Sequence, residues 1–274
     1  MPELPEVETI RRTLAPAIGA QIAAVWDSGK GLHVFRKPPR RKLATLVGSR
    51  ITQVRRHGKY LLVDTDTPQS LLVHLGMTGR FCIQRKRKKR ATHTHLVLDL
   101  GARELRFTDP RRFGQIDVFA RGAERSHPAL AVLGPDALDT QIDVVRFLAE
   151  AKLRRTTLKA FILDQSVIAG VGNIYASEAL WRAGLRPTKR TKRLTRAGAQ
   201  KLVEAIREVI DHALVNGGTT LSDFVDADGN AGENADYLWV YDRAGKPCPT
   251  CSTAIKRSVL QGRATYYCPT CQTP

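Results

Sequence analysis

The sequence predicts an α+β protein of several domains: an N-terminal helix plus a β-sandwich, then a helical domain, then a small C-terminal β-hairpin. Three observations predict this order. Short apolar runs separated by turn residues fill residues 20–120, apolar residues recur at helical spacing beyond residue 134, and two Cys-x-x-Cys pairs lie near the C-terminus. A chain of 274 residues has room for two or three domains with a sizeable core.

The chain is strongly basic, with 44 Lys and Arg residues against 26 Asp and Glu residues and a net charge of +18. Such a charge favours a polyanionic partner, either nucleic acid or an anionic membrane surface. We expect nucleic acid, because no stretch is long and apolar enough to span a bilayer and no signal peptide is recognisable. Cysteines in metal-type spacing indicate a reducing compartment, so a cytoplasmic location is expected.

The first eight residues are the most informative stretch. Removal of Met1 would leave Pro2 with a free secondary amine, and an α-amino group ionises near ~8. The unprotonated amine can attack an aldehyde-level carbon and form a Schiff base. Glu3 lies beside the amine and can move protons. The alternative is an ordinary helix start, because Pro5 suits a first turn and acidic residues there favour the helix dipole.

One helix and then a series of strands are predicted next. The apolar residues Leu4, Val7, Ile10 and Leu14 repeat at intervals of three and four, as on one face of a helix. Apolar runs of strand length then occupy residues 61–63, 71–73 and 96–98, with turn residues at 66–68 and 100–102. This spacing favours an all-β sandwich over βαβ units.

Several residues of the strand region have both an ordinary and a functional interpretation. Lys59 is in a segment predicted to open a strand, where a solvated edge lysine is the usual case. Met77 lies between Gly76 and Gly79, so it is either a core residue or pushed outward by a tight turn. The six cations at 85–90 predict a solvated loop, and Cys82, in an apolar run, predicts a buried thiol.

Residues 109–114 place Arg111, Arg112 and Phe113 in one turn. In one interpretation Phe113 is buried and the arginines pair with acids. In the other, the aromatic ring fills the gap left by a base that has left a double helix, and an arginine pairs with the orphaned partner base.

Beyond a boundary near 134–136 the apolar spacing is helical. One face is predicted from Ile142, Val145, Leu148 and Ala149, and another from Leu158, Ile162 and Leu163. Thr195 is expected to cap a long helix that Gly217 and Gly218 end. Between these helices, the Gly-x-Gly-Asn segment 170–173 opens a helix and either presents N–H groups to an anion or forms a helix–turn–helix corner.

The two remaining segments are a loop and the C-terminal tail. Residues 217–237 carry five acids and no Lys or Arg, which predicts either disorder or a lid over an extruded base. The tail has the spacing of a four-thiolate zinc site, with ligands Cys248, Cys251, Cys268 and Cys271. Between the pairs a β-hairpin is predicted, with Arg263 close to its tip.

The start MPELPEVET resembles the N-terminus of bacterial formamidopyrimidine-DNA glycosylases, and the resemblance continues through HGKY, HLGMTG, DPRRFG and GVGNIY to the final cysteines. It therefore covers essentially the whole chain. It implies a helix–two-turns–helix element in the helical domain, a zinc ribbon holding one structural zinc, and a monomer that binds double-stranded DNA with oxidised bases in a cleft between two lobes.

The resemblance also implies roles for individual residues. Pro2, Glu3 and Lys59 are the catalytic residues, with Lys59 reaching the DNA backbone and the lesion, and Glu6 supports the amine. Met77, Arg111 and Phe113, called the wedge residues below, fill the gap left by the extruded base. Asn173 and Arg263 bind phosphates. In the family the 217–237 loop contacts the damaged base and often carries an aromatic residue near position 234, where this chain has Glu233-Asn234.

The expected domains are 1–134 (helix and sandwich), 135–237 (helical, with the lesion-side loop 217–237) and 238–274 (zinc finger). The expected activity is excision of oxidised purines through a Schiff base on the N-terminal proline, followed by β,δ-elimination at the abasic site, in a cytoplasmic, nucleoid-associated enzyme. One alternative is an endonuclease VIII-like enzyme for oxidised pyrimidines, against which Leu4 argues, because that branch typically has glycine there. The other is a catalytically silent DNA-lesion-binding protein, which would not need Pro2 and Glu3.

Overall fold

The structure, a computed structural model, describes residues 1–32, 38–138 and 142–273. The chain forms two compact units. Met1–Ala131 and Asn216–Ala235 make up the first, and Val132–Val215 and Asp236–Pro274 make up the second. None of the helices among the described residues has the length and apolar character that crossing a bilayer requires.

The first unit opens with helix α1, Leu4–Thr13, followed by a short 3-10 turn at Ala15–Ala17. The helix begins at this point because Glu3 and Glu6 form a capping box and Pro5 lies in the first turn. Its buried face consists of the predicted apolar residues, Leu4, Val7, Ile10 and Leu14. The helical periodicity of the start is therefore confirmed.

A β-sandwich of two four-stranded antiparallel sheets follows α1, as predicted. One sheet has the order β2-β3-β4-β8 and the other β1-β6-β7-β5, and their inner faces share one apolar core. The elements are β1 Ala24–Asp27, α2 Arg40–Ala44, β2 Ile51–His57, β3 Tyr60–Thr65, β4 Gln69–His74, β5 Arg80–Arg85, β6 Thr94–Asp99, β7 Arg103–Thr108, β8 Gln115–Ala120 and a 3-10 turn at Glu124–Ser126. The three apolar runs predicted as strands lie within β3, β4 and β6.

The segment around Lys59 differs from its predicted form. It does not open a strand: β2 ends at His57, β3 begins at Tyr60, and Gly58 and Lys59 form the two-residue turn between them. Gly58 has φ of +55°, which glycine adopts without the steric cost that other residues incur.

Residues 217–235 of the acidic loop belong to the first unit, where they make defined contacts. Ala227 O accepts a hydrogen bond from Ile83 N–H of the edge strand β5 at 2.8 Å, and the Cys82 thiol donates to Asp226 O at 3.4 Å. The disorder interpretation was therefore wrong. The grouping of residues 217–237 with the helical domain also differs from the compact units. Cys82 is buried, as predicted, and this burial raises the pKa of its thiol to about 11.

The second unit contains α3 Val144–Leu153, α4 Leu158–Leu163, α5 Asn173–Arg182, a 3-10 turn at Thr191–Arg193 and α6 Arg196–Val215. Thr195 caps α6 by accepting a hydrogen bond from Gly198 N–H at 3.1 Å. Gly217 and Gly218, with φ of +70° and +86°, follow the end of the helix, as predicted.

The predicted face of α3 was wrong. Phe147 and Ala151 are buried, whereas Val145 is 63% exposed. The helix begins only after Asp143, whose carboxylate caps it by accepting from the N–H groups of Val145 and Arg146. Ile142 therefore precedes the helix and does not belong to its periodic pattern.

The second unit ends in a β-hairpin of β9, Lys256–Leu260, and β10, Arg263–Tyr267. Gln261 and Gly262 form its turn with φ of +49° and +72°, a backbone that matches the twist of a two-residue hairpin. Arg263 pairs with Leu260 at the first position after the turn, so it lies close to the tip as predicted.

Candidate active site

The N-terminal segment is buried apart from its first residue. Met1 is exposed, whereas Pro2, Glu3 and Glu6 are buried. Glu3 N–H donates to Glu6 Oε2 at 2.7 Å, and Glu6 Oε1 accepts from Thr219 N–H at 2.7 Å. The Glu6 carboxylate thus joins the segment that carries the N-terminal proline to the beginning of the acidic loop.

The third acid of the opening stretch, Glu8, fixes the turn that carries Lys59. Glu8 Oε2 accepts from Nε of the buried Arg56 at 3.1 Å, and Arg56 Nη1 donates to Gly58 O at 2.9 Å. Helix α1 and the β2–β3 turn are connected by this arginine. Lys59 is therefore held relative to the helix that Glu3 caps.

Lys59 is not a solvated edge lysine. Only 7% of it is exposed, and its charge acts on the half-buried His74. Desolvation and, secondarily, the Lys59 cation lower the pKa of His74 to about 4. His74 is therefore neutral at pH 7, and its Nδ1 accepts from Gly76 N–H at 3.2 Å, which places the ring hydrogen on Nε2.

The wedge residues lie on two turns of the first unit that touch. A Cβ added at Gly76, which has φ of +60°, would lie 2.5 Å from Phe113 C, so only glycine allows this approach. Met77 is exposed on the first turn, and on the second the Arg111 guanidinium carbon lies 4.7 Å from the centre of the Phe113 ring. The interpretation of Met77 as a core residue was wrong.

In the second unit, Asn173 and a buried lysine converge on one carbonyl of the hairpin. Asn173 is the first residue of α5, and its Nδ2 donates to Ala264 O at 3.0 Å. Lys159, 1% exposed, donates to the same oxygen at 2.8 Å and to Thr265 Oγ1 at 2.8 Å. The exposed Arg263 precedes Ala264 in β10, so Asn173 is hydrogen-bonded to the strand that carries Arg263.

The four cysteine sulfurs of the tail form a cluster. All of them lie within 4.8 Å of one another. Cys248 and Cys271 are 3.9 Å apart, and Cys251 and Cys268 are 3.4 Å apart. A tetrahedron with Zn–S distances of ~2.3 Å has edges of about 3.8 Å, so the cluster fits a four-thiolate zinc ion without large movement.

A buried carboxylate connects α5 to the segment leading into this cluster. Glu178 accepts hydrogen bonds from the backbone N–H groups of Trp239, Val240 and Tyr241 at 2.8, 2.9 and 2.7 Å. Tyr241 Oη in turn lies 3.5 Å from Asn173 Nδ2. Within the second unit, the metal module and the start of α5 are thus held together by polar contacts as well as by packing.

Family comparisons place this geometry in a known context. Residues 1–116 match the formamidopyrimidine-DNA glycosylase N-terminal domain, residues 133–225 match its H2TH domain, and residues 245–274 match the zinc finger found in FPG and IleRS. The chain belongs to the formamidopyrimidine-DNA glycosylase family. Together, the zinc-finger match and the sulfur cluster show one structural zinc ion.

Relatives match this glycosylase along its full length. The formamidopyrimidine-DNA glycosylase of Cereibacter sphaeroides is 42% identical over 283 residues, covering 99% of this chain and 100% of the relative. That of Methylococcus capsulatus is 47% identical over 276 residues with the same coverage.

Solved structures of family members also resemble this one. The MutM (Fpg) protein of Thermus thermophilus has a TM-score of 0.88 at 42% identity, covering 99% of this chain and 98% of its own. Wild-type Lactococcus lactis Fpg, in complex with a DNA containing N7-benzyl-Fapy-dG, has a TM-score of 0.92 at 29% identity over 100% of both chains. Lactococcus lactis Fpg bound to DNA with an abasic site has a TM-score of 0.91 at 28% identity, covering 99% of this chain and 100% of its own.

The structure of this glycosylase brings some of the predicted site residues together and shows further residues that hold them in place. Within the first unit it joins the Met77 turn to the Arg111–Phe113 turn, and within the second it joins Asn173 to the strand of Arg263. Sequence reasoning missed Arg56, which fixes the Lys59 turn. The motifs HLGMTG and DPRRFG contain Thr78 and Asp109, but sequence reasoning gave these two residues no role. The sequence signal for Arg56 was its spacing of two from the apolar Val54, which places both residues on one face of the strand.

Proposed function

We propose that the protein is a base-excision repair DNA glycosylase that removes oxidised purines, 8-oxoguanine and formamidopyrimidines, from duplex DNA, with an associated abasic-site lyase activity. The observation that carries this proposal is the N-terminal constellation. A proline that can become the N-terminus lies beside a buried Glu3, and Glu6 ties that segment to the acidic loop. Relatives that match along the full length bear the name of this glycosylase.

The chemistry follows from a secondary amine beside a carboxyl group. After removal of Met1, the Pro2 nitrogen attacks the sugar C1′, a C–N bond forms, and the base leaves with the electron pair of the glycosidic bond and takes up the proton that the nitrogen releases. Glu3 donates a proton to the sugar ring oxygen as the ring opens. The resulting iminium is an electron sink that makes a C2′ proton acidic, so elimination expels the 3′ phosphate and then the 5′ phosphate. Glu6 positions the amine through the backbone of Glu3.

Zinc takes no part in these steps. The four thiolates Cys248, Cys251, Cys268 and Cys271 leave the ion no open coordination position, so its contribution is to fold the hairpin. Arg263 near the tip is proposed to bind a DNA phosphate. Asn173 is proposed to bind one as well. Its Nδ2 donates to Ala264 O at 3.0 Å, and its contact with Tyr241 Oη at 3.5 Å is weak, so a phosphate oxygen can replace that contact.

The first unit supplies the remaining proposed DNA contacts. Lys59 reaches the backbone near the lesion, and the wedge residues fill the gap that the extruded base leaves, which offsets part of the few kcal/mol that extrusion costs. The 217–237 loop is the proposed lid over that base. Asn234 is 2% exposed and donates to Thr219 Oγ1 at 2.8 Å, so this position holds the loop together and offers no ring for stacking.

We propose the domain limits 1–134, 135–237 and 238–274 as units of sequence, although residues 217–235 of the lid loop belong to the first compact unit. The enzyme is proposed to act as a monomer. Because its proposed substrate is chromosomal DNA, we place it in the cytoplasm in association with the nucleoid.

The proposal is tested by comparing two substrates in wild type and Glu3→Gln. We expect the wild type to excise 8-oxoguanine opposite cytosine faster than an oxidised pyrimidine. Glu3→Gln should slow base removal by about a hundredfold and slow cleavage of a pre-formed abasic site much less, because no base has to be expelled there. A preference for the pyrimidine would favour the endonuclease VIII-like alternative, and binding of damaged DNA without turnover would favour the silent one.

A further inference from the structure

We propose that the Thr78 hydroxyl and the Asp109 carboxylate clasp the two wedge turns into one rigid unit, and that Thr78 is thereby a positioning residue for opposite-base selectivity. The inference rests on the proposed function, because it concerns how the wedge residues of a glycosylase are held. It assigns Thr78 and Asp109 no contact with DNA.

The Thr78 hydroxyl connects both turns directly. It donates to Asp109 Oδ1 at 2.6 Å, and it accepts from Arg111 N–H at 3.4 Å. Thr78 is the neighbour of Met77 in the chain, so the backbone that carries Met77 is bonded through one side chain to the backbone that carries Arg111. A short hydrogen bond to a carboxylate is stronger than one between neutral groups.

Asp109 occupies the centre of this arrangement. It is fully buried, and its second carboxylate oxygen accepts from Gly114 N–H at 2.8 Å. Its main-chain oxygen accepts from Arg112 N–H at 3.2 Å and lies 3.0 Å from Nε2 of the buried His95. Both ends of the 109–114 turn and the Thr78 turn are thus fixed to one carboxylate that is held by neutral donors.

Two glycines allow the turns to pack without a gap. A Cβ at Gly76 would lie 2.5 Å from Phe113 C, and a Cβ at Gly114 would lie 2.8 Å from His74 O. Since the backbones are in direct contact, a displacement of one turn displaces the other. The Thr78–Asp109 hydrogen bond holds the two turns in this contact, so it fixes the position of Met77 relative to Arg111.

Selectivity for the base opposite the lesion depends on the position of Arg111. Arg111 presents only donors, and cytosine offers O2 and N3 as acceptors once its partner has left. An arginine held in one place can distinguish this pattern from that of adenine, whereas a loosely held one can find acceptors on either base. Cleavage of an abasic site in single-stranded DNA has no opposite base to read and does not need the clasp.

The test compares Thr78→Val, which removes the hydroxyl at nearly constant volume, with Thr78→Ser, which retains it. The readout is the ratio of single-turnover excision rates for 8-oxoguanine opposite cytosine and opposite adenine. We expect Thr78→Val to lower this ratio roughly three- to tenfold and Thr78→Ser to keep it. Cleavage of a single-stranded abasic site should be equal in all three proteins. Adding Arg111→Ala to Thr78→Val should lower the ratio no further than Arg111→Ala alone, because the two act through one interaction.

A wild-type ratio of excision rates in Thr78→Val would overturn the inference. So would a loss of single-stranded abasic-site cleavage as large as the loss of excision, because the hydroxyl would then serve the fold or the chemistry. Asp109→Asn is a second variant. It replaces one of the two carboxylate oxygens, which accept from Thr78 and Gly114, with an NH2 donor, so it should also lower the excision-rate ratio. These outcomes are distinct from failure of the proposed function itself, in which the wild type would show no excision opposite either base.

Discussion

At the scale of single residues, Glu8 is an acid near the N-terminus whose ion pairs with arginines stabilise the fold. Desolvation opposes its ionisation, but hydrogen bonds from Arg11 and Arg12 and the nearby charges of Arg11 and Arg56 outweigh that cost and lower the pKa of Glu8 to about 2 from 4.5. The ion pair stabilises the position of the β2–β3 turn relative to α1. Its contribution to folding is fully present above the unfolded-state pKa and is lost as the pH falls towards 2.

Glu8→Gln should therefore reduce the free energy of unfolding at pH 7 by about 1 to 3 kcal/mol, a range that allows for the solvent exposure of Arg11 and Arg12. The difference from wild type should shrink between pH 4.5 and pH 2. Urea unfolding at several pH values measures it. Glu204→Gln on the exposed face of α6, where the partner is the neutral Gln200, is the control and should change little. A Glu8→Gln deficit that persists unchanged at pH 2 would contradict the ion-pair explanation.

At the scale of elements, apolar periodicity predicted the buried face of a helix correctly where the helix includes all the periodic residues. It predicted the wrong face where a cap shifts the start of the helix, and it gives no information on contacts between distant residues. The face of α1 was predicted because Leu4, Val7 and Ile10 are all inside the helix. The face of α3 was wrong because Asp143 caps the helix and excludes Ile142. The Thr78–Asp109 hydrogen bond joins residues 31 positions apart, and no local pattern reveals such a pair.

The hairpin element depends on its metal ion, because two strands alone bury too little apolar surface to be stable. Cys248→Ser should lose zinc and most affinity for DNA, with α1 and the sandwich still folded. Zinc content by atomic absorption and DNA affinity by anisotropy check this. Cys82→Ser is the matched control, since its sulfur lies outside the cluster, and it should keep both properties. Absence of zinc in the purified wild-type protein would remove the structural role assigned to the ion.

At the scale of the whole molecule, a net charge of +18 makes binding to DNA strongly dependent on salt. The fold class, the order of the modules and the zinc ligands were predictable from the sequence, because each rests on spacing within one segment. The unit to which the acidic loop belongs was not predictable, because the loop is bonded to α1 through Glu6 and to the sandwich through Ile83, residues far from it in the chain.

Arg263→Ala should weaken binding to damaged and undamaged duplex alike and reduce the slope of log affinity against log salt by about 1. The measurement is a salt titration of both duplexes. Arg257→Ala, an exposed arginine on the same hairpin with no proposed contact, should have a smaller effect. A loss confined to damaged DNA would mean that Arg263 reads the lesion, against its assignment to a phosphate.

The claim on which the whole account depends is that the Pro2 nitrogen is the nucleophile, and borohydride trapping on 8-oxoguanine duplex tests it most directly. A secondary amine that condenses with an aldehyde-level carbon has no N–H left to lose, so the adduct stays cationic and is reduced to a stable product. Peptide mapping by mass spectrometry should place the adduct on Pro2 in protein that has lost Met1, and protein that retains Met1 should not be trapped. An adduct on Lys59, or undiminished trapping of protein that retains Met1, would contradict the account.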